Sequence, residues 1–486
     1  MGIEINTDVV VVGGGNAALT AAIAAAERGR SVVLLERAPE EMRGGNSYFT
    51  AGATRIAHDG LDDLLDFVDP DERHGRTTVP PYPAEEYRRD LERVTEGRND
   101  PALTEVLIAE SAATLRWLHG HGARYRLMYE RQAYDRPDGS YLFWGGLHVG
   151  NTGGGAGLVE DLTRIALRLG VDIRYEAEVT GILRDDAGRV VGVRGEDLVA
   201  HAESVILGAG GFESDPGRRR AHLGEGWENA KVRGTPFNDG RILDAALAIG
   251  AGKGGDWSTC HSVQWDAFAE SNESNFELTN RLTRQSYPMG IIVNREGRRF
   301  LDEGADFRNY TYAKYGRLVL QQPGSVAWQI FDRDLRGMLR TEEYDMPGIS
   351  VEVADSIPAL ADRIGVPAET LARTVEEFNR SIDTTRTFDP TIKDGRIART
   401  EPVKSNWSKA IGTAPYYAYG VTCGITFTFG GLRADTTGRV LDETGEPIPG
   451  LFVCGEMLGG LFSGNYPGGT GLAAGGVFGR RAGTSA

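Results

Sequence analysis

Hydrophobic and polar positions fall into a recurring strand and helix order. Asp8 to Val12 is a β-branched run that stops at Gly13-Gly14-Gly15. Asn16 to Arg28 is alanine-rich and predicts a helix, and Ser31 to Leu35 predicts a second buried strand ending at Glu36. This is a β-turn-α-β unit of about 30 residues, the opening of a dinucleotide-binding fold. Apolar positions from Leu91 to Leu118 predict packing helices between Pro83 and Gly122. Val159 to Leu169 predicts another helix, followed by a strand at Asp172 to Tyr175 and a hairpin from Glu178 to Val193. Ser204 to Leu207 is a further buried strand running into Gly208-Ala209-Gly210-Gly211. Pro216 stands where a helix should be growing, so this reads as a tight glycine turn beneath the first cofactor and not as a second nucleotide site.

From Asp256 to about Val421 the texture changes. Glycine clusters thin out, Trp, Tyr and Arg become frequent, and Ile291 to Gly304 reads as a hairpin. The glycine-rich style then returns, with a strand at Gly450 to Glu456 and a closing helix at Gly468 to Arg480.

Composition narrows the functional classes. The 486 residues include 53 basic and 69 acidic side chains, a net charge of −16, which argues against nucleic acid or anionic lipid as partner. Three dispersed cysteines, Cys260, Cys423 and Cys454, support no disulfide framework, metal site or iron-sulfur cluster. The start lacks a basic n-region, and no run of 18 apolar residues exists, so neither a signal peptide nor a membrane span is expected, and the cytoplasm is the expected setting. The 66 glycines are nearly twice the usual share of roughly 7%. Their clusters between apolar strands are what close backbone approach to a ligand requires.

Gly13-x-Gly15-x-x-Ala18 follows a strand and opens a helix, and Glu36 lies 23 residues after Gly13. Gly13 suits the turn, Gly15 the approach of a pyrophosphate to the helix N-terminus, Ala18 the helix packing, and Glu36 the ribose hydroxyls.

Arg43-Gly44-Gly45-Asn46-Ser47 and the terminal Gly455-Glu456 and Asn465-Tyr466-Pro467-Gly468-Gly469-Thr470-Gly471 resemble the flavoprotein subunits of the fumarate reductase and succinate dehydrogenase superfamily. The resemblance implies FAD, and Tyr48 after Ser47, where some members carry a linking histidine, implies non-covalent attachment. It extends the expected cofactor set to Asn16, Ala17, Arg37, Gly52, Val179, Ala209, Gly210, Gly211 and Leu472. The fold it implies is α/β: a discontinuous Rossmann-type FAD-binding domain, residues 1–255 and 426–486, with an inserted α+β capping and substrate domain at 256–425.

The same resemblance implies chemistry at a C–C bond next to a carboxylate or ketone, with hydride exchange at the flavin. His261 matches a substrate histidine, and Arg308 best matches the proton-shuttling arginine. Tyr310 and Tyr312 are alternative acid/base candidates. Phe427 stands where fumarate reductases place a second substrate histidine, and Tyr466 where they place an arginine, so two ligands for a four-carbon dicarboxylate are missing. Motifs along nearly the whole chain, among them GGGNAALTAAIAA, HVGNTGGGAGLV, TCGITFTFGGL and NYPGGTGL, look like the FAD-dependent tricarballylate dehydrogenase group. That group forms cis-aconitate and hands electrons to a separate membrane protein. Arg284, Arg308, His261 and Arg233 are then the expected carboxylate ligands, with Tyr287 and Tyr466 as hydrogen-bond donors or flavin-packing groups.

A small carboxylate substrate and a separate electron-transfer protein or quinone-linked acceptor are the partners implied, the latter allowing peripheral membrane association. Two other readings stay open: a desaturase of a ketone similar to 3-ketosteroid Δ1-dehydrogenases, which also carry a Tyr-Pro-Gly segment, and a catalytically silent flavin-binding subunit.

Overall fold

The computed structural model describes residues 3–486. Met1 and Gly2, at the start of the expected cofactor domain, lie outside the described residues. The chain divides into two compact units. One holds the segment ending at Glu225 together with Gly234–His261 and Thr426–Ala486, and the other holds Gly226–Arg233 and Ser262–Ile425. Two segments differ from expectation: Gly226–Arg233 clusters with the second unit, and residues 256–261, His261 among them, belong to the first. The limits at 261 and 425 fall inside the long strands Lys253–Asp266 and Tyr416–Leu432, so no change of composition marks them.

The first unit is built on an eight-stranded sheet. Ile3–Val12 lies near its middle, parallel to Val32–Leu35 on one side and to Leu198–Leu207 on the other. Asp172–Arg174 extends the parallel run beyond Val32–Leu35, and Pro447–Val453 pairs in parallel with Leu198–Leu207. The hairpin Gly181–Arg184 and Val190–Arg194 adds two antiparallel strands next to Leu198–Leu207, and Arg439–Leu441, antiparallel to Pro447–Val453, is the eighth. Val9, Val10, Val11 and Leu34 are fully enclosed, as continuous apolar runs in a two-sided parallel sheet should be.

Asn16–Glu27 and Thr470–Ser485 are the helices that close over the start of this sheet, and glycine decides how closely they pack. A Cβ at Gly479 would stand 2.5 Å from the carbonyl oxygen of Ala17, and one at Gly483 would overlap the carbonyl of Ala21. Gly475, Gly479 and Gly483 repeat every four residues and so share one helix face. These three therefore serve helix packing. Pro216 is also reassigned: it opens the helix Pro216–Leu223, at the first turn where its missing N–H costs nothing, behind an Asp215 cap that accepts from the Arg218 amide at 2.8 Å.

In the second unit Ala327–Asp332 lies between Ile291–Asn294 and the Tyr416–Val421 part of its long strand, antiparallel to both, and Val351–Ala354 pairs with the same long strand. The amphipathic helices Ile357–Ile364 and Ala368–Arg380 cover one face through Leu360, Leu371, Val375 and Phe378.

Candidate functional site

In the first unit the ends of the parallel strands carry the expected cofactor motifs, and steric room separates their glycines into two kinds. Gly13 has φ +106°, and a Cβ there would overlap the carbonyl oxygen of Gly208, so this glycine lets two strand ends approach. A Cβ at Gly14 would stand 2.6 Å from Glu36 Oε2. Gly15, Gly45 and Gly471 are the opposite case, meeting nothing closer than 3.5, 3.9 and 3.6 Å. Open glycines beside the N-termini of Asn16–Glu27 and Thr470–Ser485 form a cradle in which backbone N–H groups can face a diphosphate and an electron-rich ring. The residues present thus fit a bound dinucleotide.

The motifs are tied to one another. The Asn16 amide donates to Ser47 Oγ at 3.0 Å, and Asn16 Nδ2 donates to the carbonyl of Leu472 at 2.9 Å. Asn46 Nδ2 reaches Glu213 Oε1 and the Thr426 carbonyl, both at 2.5 Å, while its Oδ1 accepts from the Thr235 amide at 2.9 Å. Glu36 is buried and accepts from the Ala38 amide at 2.7 Å, and burial pushes its carboxyl above the ordinary carboxylate range. Gly44 and Gly52 pack too closely on Val159 and Gly154 to carry a side chain, and Gly455 does so on Ala17. The Ala209 amide faces Met457 Sδ at 3.2 Å, Gly210 abuts Asn238, and Val179 is buried in the same unit. The Arg37 guanidinium is held in ion pairs by Asp239 at 2.8 Å and Glu178 at 3.2 Å.

One anchoring group carried no sequence signal. Arg55 is fully buried, donating from Nε to the Gly468 carbonyl at 2.9 Å and from Nη1 to Tyr82 Oη at 2.9 Å, and Tyr82 in turn donates to Asp90 at 2.8 Å. The Arg55 amide also donates to the Gly469 carbonyl at 3.1 Å, so this side chain and backbone hold the turn that opens the closing helix. His58 Nε2 and His148 Nδ1 lie 2.9 Å apart nearby, both buried.

His261 stands in an aromatic group. Its ring stacks on Phe427 with centroids 5.3 Å apart and meets Tyr466 edge-on at 5.0 Å, and Phe462 packs on Tyr466 at 5.3 Å. The two substitutions noted in the sequence therefore form one continuous wall with the histidine.

Within the second unit Arg308 begins the helical turn Arg308–Tyr310 and is 9% exposed. Its Nη1 donates to Gln285 Oε1 at 3.1 Å, and Arg340 Nη1 donates to the same oxygen at 3.3 Å. Arg340, held also by Glu343 at 2.8 Å, was missed because no motif marks it. The hairpin before Arg308 is pinned by Glu303, which pairs with Arg299 at 2.5 Å and accepts from the Ile292 amide at 2.7 Å. Tyr287 lies 2.6 Å from Thr311 Oγ1, and burial pushes its phenol well up, so it is a neutral hydrogen-bonding group. Tyr310 is buried, and Tyr312 packs half-buried against the Tyr287 and Tyr315 cluster. Arg233 is buried and its amide donates to the Ile425 carbonyl at 2.9 Å. Arg284 is corrected: fully buried, it pairs with Asp266 at 2.5 Å and donates to the carbonyls of Thr283 and Arg281, so its charge is used in folding and not for substrate.

A family model described as FAD binding domain matches residues 8–472. The chain is 29% identical over 493 residues to a fumarate reductase (cytochrome) of Shewanella frigidimarina, covering 99% of this chain and 76% of that protein. It is also 29% identical over 529 residues to 4-oxocyclohexanecarboxylate 2-dehydrogenase of Sinomonas cyclohexanicum, covering 95% and 89%. Among solved structures it is similar to the open conformation of a flavocytochrome c3 fumarate reductase, with TM-score 0.71 at 26% identity over 99% of this chain and 78% of that one. No described helix is long and apolar enough to cross a membrane.

Proposed function

The chain belongs to the FAD binding domain family, and from that premise we propose that it desaturates a polycarboxylate such as tricarballylate with non-covalent FAD. It is an FAD-dependent oxidoreductase of the fumarate reductase superfamily acting on C–C bonds. The observation that carries the finer reading is that buried Arg308 and half-buried Arg340, the latter also paired with Glu343, both donate to the neutral amide oxygen of Gln285, which sets two guanidiniums side by side.

In this reading His261 is a carboxylate ligand, the bound carboxylate makes the neighbouring C–H acidic, and Arg308 takes the proton in its neutral guanidine form, becoming the guanidinium. Bound FAD supplies the hydride acceptor. Asn46, Asn16 and Arg55 hold the cofactor turns rigid. Tyr287 keeps its proton at neutral pH and serves as a hydrogen-bond donor. Electrons then leave to a separate protein or quinone-linked acceptor, since the three cysteines are buried and separate in sequence.

The aromatic wall of His261, Phe427, Phe462 and Tyr466 favours a second reading, a ring substrate bearing both a ketone and a carboxylate. Such a compound is named for the Sinomonas relative. Anaerobic mixing with tricarballylate is expected to bleach the flavin. If 4-oxocyclohexanecarboxylate bleaches it instead, the ring reading replaces the polycarboxylate one.

A further inference from the structure

Behind the Gly208–Gly211 turn two carboxyl groups face each other inside the first unit. Glu213 is 0% exposed, and its Oε1 accepts from Asn46 Nδ2 at 2.5 Å and Asn238 Nδ2 at 2.7 Å. Its Oε2 is buried and meets no donor. Glu456 Oε1 is occupied by the Thr428 amide at 2.7 Å and the Thr428 hydroxyl at 3.1 Å. The point where a Gly211 Cβ would stand is 2.8 Å from Glu213 Oε2 and overlaps Glu456 Oε1 as well, so the two carboxyls crowd one spot that only glycine leaves clear.

Two ionised carboxylates cannot share such a site, because each lacks a donor for the other and their repulsion is undiluted by water. We propose that Glu213 and Glu456 hold one proton between them in the folded protein at neutral pH, as a hydrogen-bonded acid and carboxylate that positions the Gly208–Gly211 and Gly455–Glu456 turns of the cofactor cradle. The proton donates across the gap to the oxygen that otherwise has none. Burial raises both groups above the ordinary carboxylate range, and their mutual repulsion raises Glu456 further. The groups facing them from neighbouring elements are Asn46, Asn238 and Thr428, which are neutral. Arg219, from the following helix, directs its Nη1 to the Glu213 main-chain carbonyl at 2.6 Å.

The sign of the linkage follows. A carboxyl raised in the folded state binds a proton that the unfolded chain releases near pH 4.3, so stability is lost as pH rises from there toward the folded value. Glu213→Gln supplies the missing donor permanently while keeping the acceptor that Asn46 and Asn238 use.

The test uses the FAD-bound protein. Infrared difference spectra at neutral pH should show a protonated carboxylic C=O band that Glu213→Gln removes and that Glu456→Gln also removes. In thermal or urea unfolding, the ratio of unfolding constants, wild type over Glu213→Gln, should climb by up to about tenfold per pH unit above about pH 5. A band unchanged in both variants, or a ratio that stays flat with pH, would overturn the shared proton. If Glu456→Gln fails to retain FAD, the Glu213→Gln spectrum and unfolding series decide alone.

Discussion

His261 lies face to face with Phe427, the ring planes inclined by 17°, and Tyr466 closes the edge of the pair. An imidazole so enclosed presents an apolar and aromatic surface where a second cation would be needed for a short dicarboxylate. Replacing both neighbours, Phe427→His with Tyr466→Arg, should raise fumarate reduction by a chemically reduced dye at least about tenfold, which corresponds to roughly 1.4 kcal/mol of transition-state binding. An unchanged rate in a double variant that still holds FAD would show that this wall does not select the substrate.

Arg308 and the tyrosines beside it make separable claims on the proton. Arg308→Ala should lower turnover about 10²- to 10⁴-fold, whereas Tyr310→Phe and Tyr312→Phe should stay within about tenfold of the parent. Steady-state rates with an artificial acceptor check this. The reverse ranking would move proton transfer to a phenol.

The glycines of the first turn should part company on substitution. At Gly15 the backbone has φ −81°, open to any residue, and a Cβ finds 3.5 Å of clearance. Gly15→Ala should therefore leave the melting temperature of the FAD-free protein almost unchanged while weakening FAD binding at least about tenfold. Gly13→Ala must strain the backbone and push Gly208 away, costing about 2–4 kcal/mol of folding stability. Calorimetry of the FAD-free proteins and fluorescence titration with FAD separate the two outcomes.

The His58 and His148 pair sets a limit on acid tolerance. Burial lowers His58 from its ordinary value to about 4, and His148, also buried and beside it, falls well below its own. Asp63 and Asp59 act on His58 in the opposite sense without overcoming burial. Groups held neutral in the fold contribute stability that is full above about pH 6.5 and drains away as pH falls toward 4, by about 3 kcal/mol for His58 alone. A His58→Leu/His148→Leu variant should show a flatter melting temperature over that range. An equally steep slope would place acid sensitivity elsewhere.

The first strand, the glycine turn and the alanine-rich helix were legible because their chemistry is local. An apolar run, a required turn and a 3.6-residue period follow one another within 36 residues. The second glycine motif and the closing helix were legible as motifs. Their mutual attachment through Asn46 and Asn16 was not, because it joins residues hundreds of positions apart. Arg284 shows the converse failure: a motif position marks it as a ligand, yet Asp266, eighteen residues earlier, consumes its charge. Pro216 looked like a helix breaker because a sequence shows that a proline is present but not that it occupies the first turn.

By itself the sequence determined the class: a Rossmann-type opening, glycine stations for FAD and a histidine and arginine in matching motifs. Tertiary structure alone decided which charges remain for chemistry. Arg37, Arg284, Arg299 and Arg340 end in ion pairs, Arg308 donates to an amide oxygen, and Glu213 comes to face Glu456. The reason is physical. Backbone preference and hydrophobic period are written in neighbouring residues, whereas the partner that neutralises or spares a buried charge is chosen by folding.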